Sequence, residues 1–402
     1  MNVKNFVFVT NYIKNYYHYN SSSIWIPPEI KSREFGFAIG PNKIMMRHRS
    51  FEDDTAIRNF LQNEVPLDAY HSAAQYQDPT AGIDEKGLRD ADLFFDIDAD
   101  HVEPNCGSDS SVWICESCND AGIGATDVCP SCHKSTKIIT FPNVKCIEAA
   151  RKETIKLTAI LTEDFGFASQ ETKVHYSGNR GFHVYLYSEG VKDLGQDARK
   201  EIIDYITYPS SELDLLALGS ERETGEVRIP TVGLPGRILR EIKDTLTEPE
   251  KLQGYIGSKL VKGLDMRKRQ VLSELDEGNL TPLVKFLGMR RFKAFFKHVV
   301  IKNSLKVDPV VTVDLHRLVR MPGSINSKTG LPKKEVDLAD TSALAILDSM
   351  FAEDKLVKIM IKVAPKMRIG GLTYGPYENL IVDLPEGIAV LLVLRGVGEI
   401  VS

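Results

Sequence analysis

Four cysteines in two close pairs constrain this 402-residue chain more than any other feature of its sequence. Cys115 and Cys118 form one C-x-x-C pair, and Cys129 and Cys132 form a second pair after a gap of ten residues. Four thiolates at this spacing can close a tetrahedral Zn²⁺ site, which folds a segment too short to bury a core of its own. The sequence therefore predicts a small structural zinc-binding module at 103–136, inserted into a larger fold.

Neighbouring residues leave the ligand set open at one point. Cys106 is a fifth candidate ligand, and His101 and His133 are possible substitutes for a cysteine. A redox pair is the alternative use of C-x-x-C, but neither pair stands at the strand-to-helix junction of a thioredoxin-like site. Cys146 falls in a helical pattern and is expected to be a core residue.

Composition limits the classes of protein that the chain can belong to. Its apolar share of 43% and charged share of 26% are those of an ordinary globular protein. No apolar run approaches the roughly 20 residues that cross a bilayer, and the first residues lack the order of a signal peptide. We therefore expect a cytoplasmic protein without membrane contact. Because the net charge is −5, any nucleic-acid contact must come from a local patch.

Hydrophobic periodicity predicts an α/β (α+β) fold in which a helical subdomain interrupts a mixed-sheet core. Helical and strand patterns alternate through 1–190 and 291–402, whereas 191–290 is rich in charged residues and leucine with helical runs. Within the core, helical spacing is clear at 54–65 and 143–165.

Strand patterns occupy the segments that carry polar side chains of interest. One strand is predicted at 93–98, and 173–187 reads as two strands around a tight loop. Strand character returns at 308–324 and in the apolar runs of 378–396. The stretch 285–306 interleaves cations with phenylalanines, which predicts an amphipathic helix with a phenylalanine core; the alternative is contact with a nucleic-acid template.

The predicted strand LFFDID carries the first candidate metal ligands. Asp96 and Asp98 are two residues apart, so their carboxylates leave the same face, while Phe95 and Ile97 pack on the other. Adjacent carboxylates repel one another unless a cation lies between them, and hard oxygen ligands suit Mg²⁺ or Mn²⁺. The alternative is an exposed polar strand end, because D-x-D alone is a weak motif.

The loop SGNRGFH supplies candidate phosphate ligands. Gly178 and Gly181 permit tight backbone angles and close approach of a ligand. Ser177, Arg180 and His183 are its donors, and a guanidinium suits forked contacts with phosphate oxygens. The alternative is a plain hairpin turn with a half-buried histidine. No G-K-[ST] follows, so this is not a Walker loop.

A third acidic residue, Asp314, ends the β-branched run VVTVD. Arg317, Arg320 and Lys328 follow it closely. A carboxylate beside such cations could complete a metal site and neutralise a triphosphate. A salt-bridged strand-to-helix junction is the alternative.

Together these stretches resemble the small catalytic subunit of archaeal and eukaryotic DNA primases, in its archaeal version. The matching segments stand in the family's order, and the resemblance spans most of the chain. The segments are FDIDADH at 95–101, SGNRGFH at 177–183 and VTVDLHRLVRMPGSINSKTG at 311–330, with further similar stretches at 33–37, 46–51, 69–79 and in LPEGIAVLLVLRG near the C-terminus.

The resemblance implies a nucleotidyltransferase with DNA-directed RNA polymerase activity. Such an enzyme makes short RNA primers, and in some cases DNA, from nucleoside triphosphates on a single-stranded DNA template during replication. The resemblance also implies a mixed α/β primase core, a helical subdomain and a primase large subunit as heterodimer partner.

Particular residues inherit roles from the resemblance. Asp96, Asp98 and Asp314 match the carboxylates that bind two Mg²⁺ or Mn²⁺ ions. The residues that match the triphosphate-binding group are Ser177, Arg180, His183 and Lys328. Two positions depart from the family pattern: some relatives have a second arginine at the position of Asn179, and many have a histidine at that of Asn326.

Three alternative functions remain open at this point. A repair or gap-filling polymerase of the same superfamily is one, and a plasmid- or virus-type primase-polymerase is another. No ligase, nuclease or helicase segment is evident in the sequence, which argues against both. The third is a non-catalytic zinc-ribbon protein that binds nucleic acid, which would leave the three aspartates unexplained.

Overall fold

The computed structural model describes residues 1–103, 105–208, 219–220, 226–248, 268–351 and 355–401. These residues divide into two compact units. The first comprises 1–155, 170–199 and 307–402, and the second comprises 156–169 and 200–306. The subdomain boundaries expected at 191 and 290 remain a prediction, and part of that range lies outside the described residues.

The described helices include those expected at 54–65 and 143–165, so both predictions are confirmed. Across the described residues, no helix combines the length and the apolar content that a membrane span needs. In chain order the helices are α1 (Val3–Tyr19), α2 (Asp54–Glu64), α3 (Ala99–Val102), α4 (Val144–Glu163), α5 (Glu189–Lys192), α6 (Gln196–Thr207), α7 (Gly233–Thr247), α8 (Lys268–Asp276), α9 (Thr281–Leu287), α10 (Met289–Asn303), α11 (Pro309–Val313), α12 (Ala343–Asp348) and α13 (Glu386–Leu394).

The strands pair antiparallel throughout the described residues, which confirms a mixed helix-and-sheet fold. In chain order they are β1 (Phe35–Ile39), β2 (Ile44–Arg49), β3 (Asp68–Ser72), β4 (Ala74–Tyr76), β5 (Leu88–Ala91), β6 (Leu93–Asp98), β7 (Ser111–Ile114), β8 (Ala121–Ile123), β9 (Lys137–Thr140), β10 (Thr172–Tyr176), β11 (Gly181–Leu186), β12 (Gly219–Ser220), β13 (Val227–Arg228), β14 (Leu318–Arg320), β15 (Lys334–Glu335), β16 (Leu356–Ala364), β17 (Met367–Ile369), β18 (Leu372–Tyr374), β19 (Tyr377–Pro385) and β20 (Gly398–Ile400).

Two four-stranded sheets position the residues of interest within the first unit. One has the strand order β15–β10–β11–β6, and the other has the order β14–β3–β1–β2. In the first sheet, burial alternates along β6 as its sequence predicts, with Phe95 and Ile97 fully buried and the two aspartates only half-buried. In the second, Arg320 of β14 pairs with Tyr70 of β3, which fixes the chain between Asp314 and Lys328.

The cysteine-rich segment forms a small sheet of its own, with the order β8–β7–β9. Trp113 on β7 packs with the cysteines in a compact cluster. The segment also contacts the C-terminal strand β16, where the Lys362 ammonium donates to the Asn119 side-chain oxygen at 2.5 Å. Within the first unit, this contact therefore ties the cysteine-rich segment to a strand that is distant in sequence.

Two expected strands are helices in the structure. Residues 309–313 form α11, whose first turn has Pro309 and is capped by Asp308, because that carboxylate accepts from the Val310 N–H at 3.0 Å. The apolar run of 386–394 forms α13, which follows β19 directly and is buried on all sides. A helix without an exposed face shows no 3.6-residue period, so a short apolar run does not distinguish it from a buried strand.

The second unit has a hydrophobic core built mainly from helices α7 to α10. The stretch 285–306 contributes α10, whose Phe292, Phe295 and Phe296 are buried in that core. The cations Arg290 and Lys293 are exposed on the same helix. This is the amphipathic helix that the spacing predicts, and its aromatic rings are not available for stacking on bases.

Truncation inside α13 tests whether this helix is buried on all sides. Leu391 is fully buried, so Leu391→Ala should lower the free energy of unfolding by about 2–5 kcal/mol. Leu380→Ala on β19 is the matched control, because Leu380 is 48% exposed and its loss should change stability by less than about 0.5 kcal/mol. Urea denaturation followed by circular dichroism measures both, and an equal loss for the two variants would contradict the assignment.

Candidate active site

Strands β6 and β11 bring the paired carboxylates against the glycine-rich loop. In their register His183 lies opposite Asp96, and Gly181 lies opposite Asp98. A Cβ atom on Gly181 would approach the Ile97 carbonyl oxygen to 2.3 Å, so only glycine allows this pairing. The Nε2 atom of His183 lies 3.6 Å from the Asp96 carboxylate. The first two motifs of the sequence therefore form one site.

The pKa of Asp96 shows that its surroundings disfavour the charged carboxylate. Burial raises the pKa of Asp96 to about 6, and the charges of Asp98 and Asp308 add to this effect. Its side chain nevertheless remains 31% exposed, so a solvated ion can reach it. Two oxygen ligands on one strand face, with mutual repulsion that a cation would relieve, fit Mg²⁺ or Mn²⁺.

A cleft of about 280 Å³ opens over this strand pair. Five of the seven residues predicted to bind metal or triphosphate line it. They are Asp96, Asp98, Ser177, His183 and Lys328. Arg317 and Arg320 also face the cleft, so carboxylates and cations meet in one concave site. Such a site can hold a divalent ion together with a polyanion.

Asp314 takes a different position from the one expected. It ends α11 rather than a strand, its Oδ1 atom accepts from the His316 N–H at 3.0 Å, and it is not among the residues that line the cleft. Asp308, at the other end of the same helix, donates its backbone N–H to the Asp96 carbonyl at 3.0 Å. The strand assignment for Asp314 was wrong, and its role as third metal ligand stays a prediction.

The Arg180 side chain projects from the loop and pairs with a carboxylate, and it is not among the residues that line the cleft. Its Nη2 atom donates to Asp100 at 2.6 Å, while its Nε–H is buried without a partner among the described residues. The loop itself is rigid, because Ser177 Oγ accepts from the backbone N–H of Asn179 and of Gly181, each at 3.3 Å. One donor of the Arg180 guanidinium is therefore engaged by Asp100.

Asn179 and Asn326, the two residues that depart from the family pattern, each make a specific hydrogen bond. The Asn326 amide donates to the Ser177 carbonyl at 3.1 Å, which ties the third motif to the loop. The Asn179 side-chain oxygen accepts from Arg395 at 2.6 Å. Because this oxygen is engaged, the N–H donors of the amide are the groups left for the cleft that Asn179 lines. Burial lowers the pKa of Arg395 to about 10, and nearby Arg180 adds to this effect.

Lys333 is a buried cation beneath the cleft that sequence reasoning missed. Its side chain is fully buried, and its Nζ atom contacts the His183 Nδ1 atom, the Tyr185 hydroxyl and the Arg320 carbonyl. Burial lowers the pKa of Lys333 well below its usual range, Arg320 adds to this, and Asp96 opposes it. Burial and Lys333 together lower the pKa of His183. No sequence pattern points to Lys333, which stands five residues after Lys328.

The four paired cysteines converge as predicted. Their sulfur atoms all lie within 4.8 Å of one another. The two pairs adopt the same turn, because Cys115 and Cys129 each accept, at their carbonyl, the N–H of the residue four positions on, Asn119 and His133. Backbone N–H groups of Cys118 and Ser117 lower the pKa of Cys115, whereas hydrogen bonds among the thiols raise the pKa of Cys118 and of Cys132. The site fits a structural Zn²⁺ with four protein ligands.

The remaining candidate ligands lie elsewhere. Cys106 forms a disulfide with Cys146, with Cα atoms 5.0 Å apart, so Cys106 is not a zinc ligand. Cys146 is fully buried, as expected of a core residue, but its bond to Cys106 was not foreseen. His133 serves the turn of the second pair, where its φ of 58° is left-handed, and neither it nor His101 belongs to the cysteine group.

Comparison with known proteins identifies the family. The family model for the DNA primase small subunit matches residues 142–338. The chain is 30% identical over 405 residues, covering 100% of both chains, to a DNA primase small subunit from Nitrosopumilus maritimus. It is also 30% identical over 387 residues, 94% of each chain, to one from Archaeoglobus fulgidus, and 28% identical over 412 residues to one from Cenarchaeum symbiosum, covering 99% of this chain and 100% of that protein.

The carboxylate cleft and these matches place the chain in the class of nucleotidyltransferases. Similarity at 30% identity along the whole chain is too extensive to reflect a shared fold alone. The chain belongs to the DNA primase small subunit family.

The cysteine cluster predicts a measurable metal content. The protein purified without chelators should hold roughly one Zn²⁺ per chain, as a closed four-cysteine site requires. Cys118→Ser should lose most of this zinc, because three thiolates bind it more weakly. The matched control is Cys106→Ser combined with Cys146→Ser, which removes two cysteines outside the cluster and should keep the zinc. Inductively coupled plasma mass spectrometry measures all three, and zinc loss from the control alone would refute the ligand set.

Proposed function

We propose that this chain is the catalytic subunit of a DNA primase, which synthesises short primers of RNA, and also of DNA, on single-stranded DNA from nucleoside triphosphates. One observation carries the proposal: Asp96 and Asp98 share one cleft with Ser177, His183 and Lys328. Full-length similarity to DNA primase small subunits supports this use of the cleft. The cleft is small and polar, in keeping with a site for one nucleotide and its ions.

Asp96, Asp98 and Asp314 would hold the divalent ions, Mg²⁺ or Mn²⁺. When bound, such ions make the attacking 3′-hydroxyl more acidic and offset the charge on the leaving pyrophosphate. The raised pKa of Asp96 supports this use, because a cation would remove the repulsion that raises it. Asp314 would have to approach the pair, and it ends α11, the helix that packs against β6.

Ser177, Arg180, His183 and Lys328 would hold the triphosphate. Lys328 is exposed at the cleft and Arg317 faces it from the neighbouring segment, so both can meet an incoming anion. Arg180 would exchange the Asp100 carboxylate for a phosphate oxygen, which replaces one charge-assisted hydrogen bond by another. Fixed donors of this kind stabilise the charge that develops on the phosphates.

The template and the partner follow from the same assignment. Single-stranded DNA would approach the cleft, and a primase large subunit would complete the heterodimer, as the small-subunit family implies. The zinc-binding module lies next in sequence to the carboxylate strand, so holding the template or the growing primer is a suitable role for it. Location in the cytoplasm stays a prediction.

Removal of the paired carboxylates tests the proposal directly. Asp96→Asn combined with Asp98→Asn should abolish metal-dependent nucleotide incorporation on unprimed single-stranded DNA, because both metal ligands lose their charge. Glu378→Gln combined with Asp383→Asn is the control, since it removes two exposed carboxylates from β19 and should leave activity intact. Wild-type extension of supplied primers only would indicate either a missing large subunit or a gap-filling polymerase. Absence of all incorporation with retained DNA binding would indicate a non-catalytic zinc protein.

A second pair of variants identifies the third carboxylate. Asp314→Asn should lower incorporation by at least about 100-fold, since even supporting residues of metal sites contribute that much. Asp308→Asn should have little effect, because asparagine still caps α11. Steady-state rates at saturating Mn²⁺ distinguish the two. The reverse ranking would show that Asp308 is the third ligand. The charge of Asp308 raises the pKa of Asp96, and its backbone N–H donates to the Asp96 carbonyl.

A further inference from the structure

A buried lysine touches the back of the triphosphate-binding histidine. The Lys333 Nζ atom lies 2.8 Å from His183 Nδ1, 2.5 Å from the Tyr185 hydroxyl and 2.8 Å from the Arg320 carbonyl oxygen. Its charge also lies 4.5 Å above the Tyr185 ring. The side chain has no access to solvent, so it cannot bind template or nucleotide itself.

The chemistry of these contacts fixes the state of the histidine ring. A lysine ammonium has three N–H donors and no acceptor. Lys333 has three acceptor atoms within reach, one for each donor. With Lys333 in this ammonium form, Nδ1 of His183 accepts, which leaves the ring proton on Nε2. Nε2 is the atom that faces the Asp96 carboxylate at 3.6 Å, on the side of the cleft.

Packing alone does not account for a charge at this position. A methionine has a similar length and would fill the same space without the penalty of burying an ammonium group. A fully buried lysine is rare unless its charge is paired and its hydrogen bonds are used. Here the three hydrogen bonds connect Lys333 to His183, to Tyr185 two residues further along β11, and to the backbone carbonyl of Arg320 in β14.

We propose that Lys333 is a positioning residue for nucleotide binding: it holds His183 with its N–H on Nε2, aimed into the cleft. The inference rests on the proposed function, in which His183 donates to the triphosphate. Without Lys333, the ring is free to place its proton on Nδ1 and to present an acceptor to a polyanion, which repels it.

Three variants separate hydrogen bonding from charge and from packing. Lys333→Met removes the donors, and the KM for the nucleotide should rise about tenfold while kcat changes much less, since one hydrogen bond to a bound anion is lost. Lys333→Gln keeps a donor without the charge and should restore most of the affinity. Lys334→Met changes the exposed neighbour, whose ammonium donates to Ser349 Oγ, and should leave KM unchanged.

A double variant tests whether Lys333 acts through the histidine. His183→Ala alone should raise KM, and adding Lys333→Met should raise it no further, because the group being positioned is already absent. Additive effects would overturn the proposal. Nitrogen-15 NMR of the imidazole provides a readout independent of activity: the wild type should show an unprotonated Nδ1, and Lys333→Met should shift the ring toward the other tautomer.

The outcomes distinguish this inference from the proposed function. If the wild type incorporates no nucleotide, the proposed function fails, whereas the NMR result still decides the tautomer. If the wild type is active but Lys333→Met lowers kcat and thermal stability with an unchanged KM, Lys333 is only structural. If Lys333→Met does not fold, Lys333→Gln with the NMR measurement decides: an unprotonated Nδ1 retained in Lys333→Gln supports the inference, and its loss overturns it.

Discussion

The antiparallel pairing of β6 with β11 is the interaction on which the site depends. It places Asp96 beside His183 and Asp98 beside Gly181, so two segments separated by the whole zinc-binding module and α4 meet residue by residue. A slip of one position would turn both carboxylates to the opposite face of the sheet. The full burial of Phe95 and Ile97 prevents that slip, because either side chain would then be exposed to water. The hydrophobic core thus sets the geometry of the charged site.

The charges around this strand pair are balanced across the sheet rather than within one motif. Asp96 stands above the buried Lys333, and each moves the pKa of the other toward its charged form against the effect of burial. Arg320 is held by Asp68 and stacks over the Tyr70 ring at a distance of 5.2 Å. A divalent ion would add positive charge on the carboxylate side only. Lys333 offsets part of the negative charge of Asp96 from the buried side of the sheet.

Sequence patterns predicted the local elements well and the long-range contacts poorly. The strand that carries Asp96, the loop with its two strands and the four-cysteine cluster are all present, because each depends on spacing within a short segment. The Cys106–Cys146 disulfide was missed, since pairing over 40 residues is fixed by tertiary packing. The strand expected before Asp314 is a helix, although Asp308 and Pro309 form a recognisable helix start. Buried Lys333 has no sequence signature, because burial is decided by distant segments.

The contact between Asn179 and Arg395 depends on the helix α13, which the sequence pattern predicted as a strand. Some relatives have a second arginine at the position of Asn179, and here a guanidinium reaches it from Arg395. Arg395 stands immediately after α13, so it arrives at the loop only because 386–394 is a helix. A strand of nine residues would be about twice as long as a helix of nine residues and would carry the residue elsewhere. The apolar burial of α13 therefore has a consequence for the loop: it brings the Arg395 guanidinium to a loop whose own cation is Arg180.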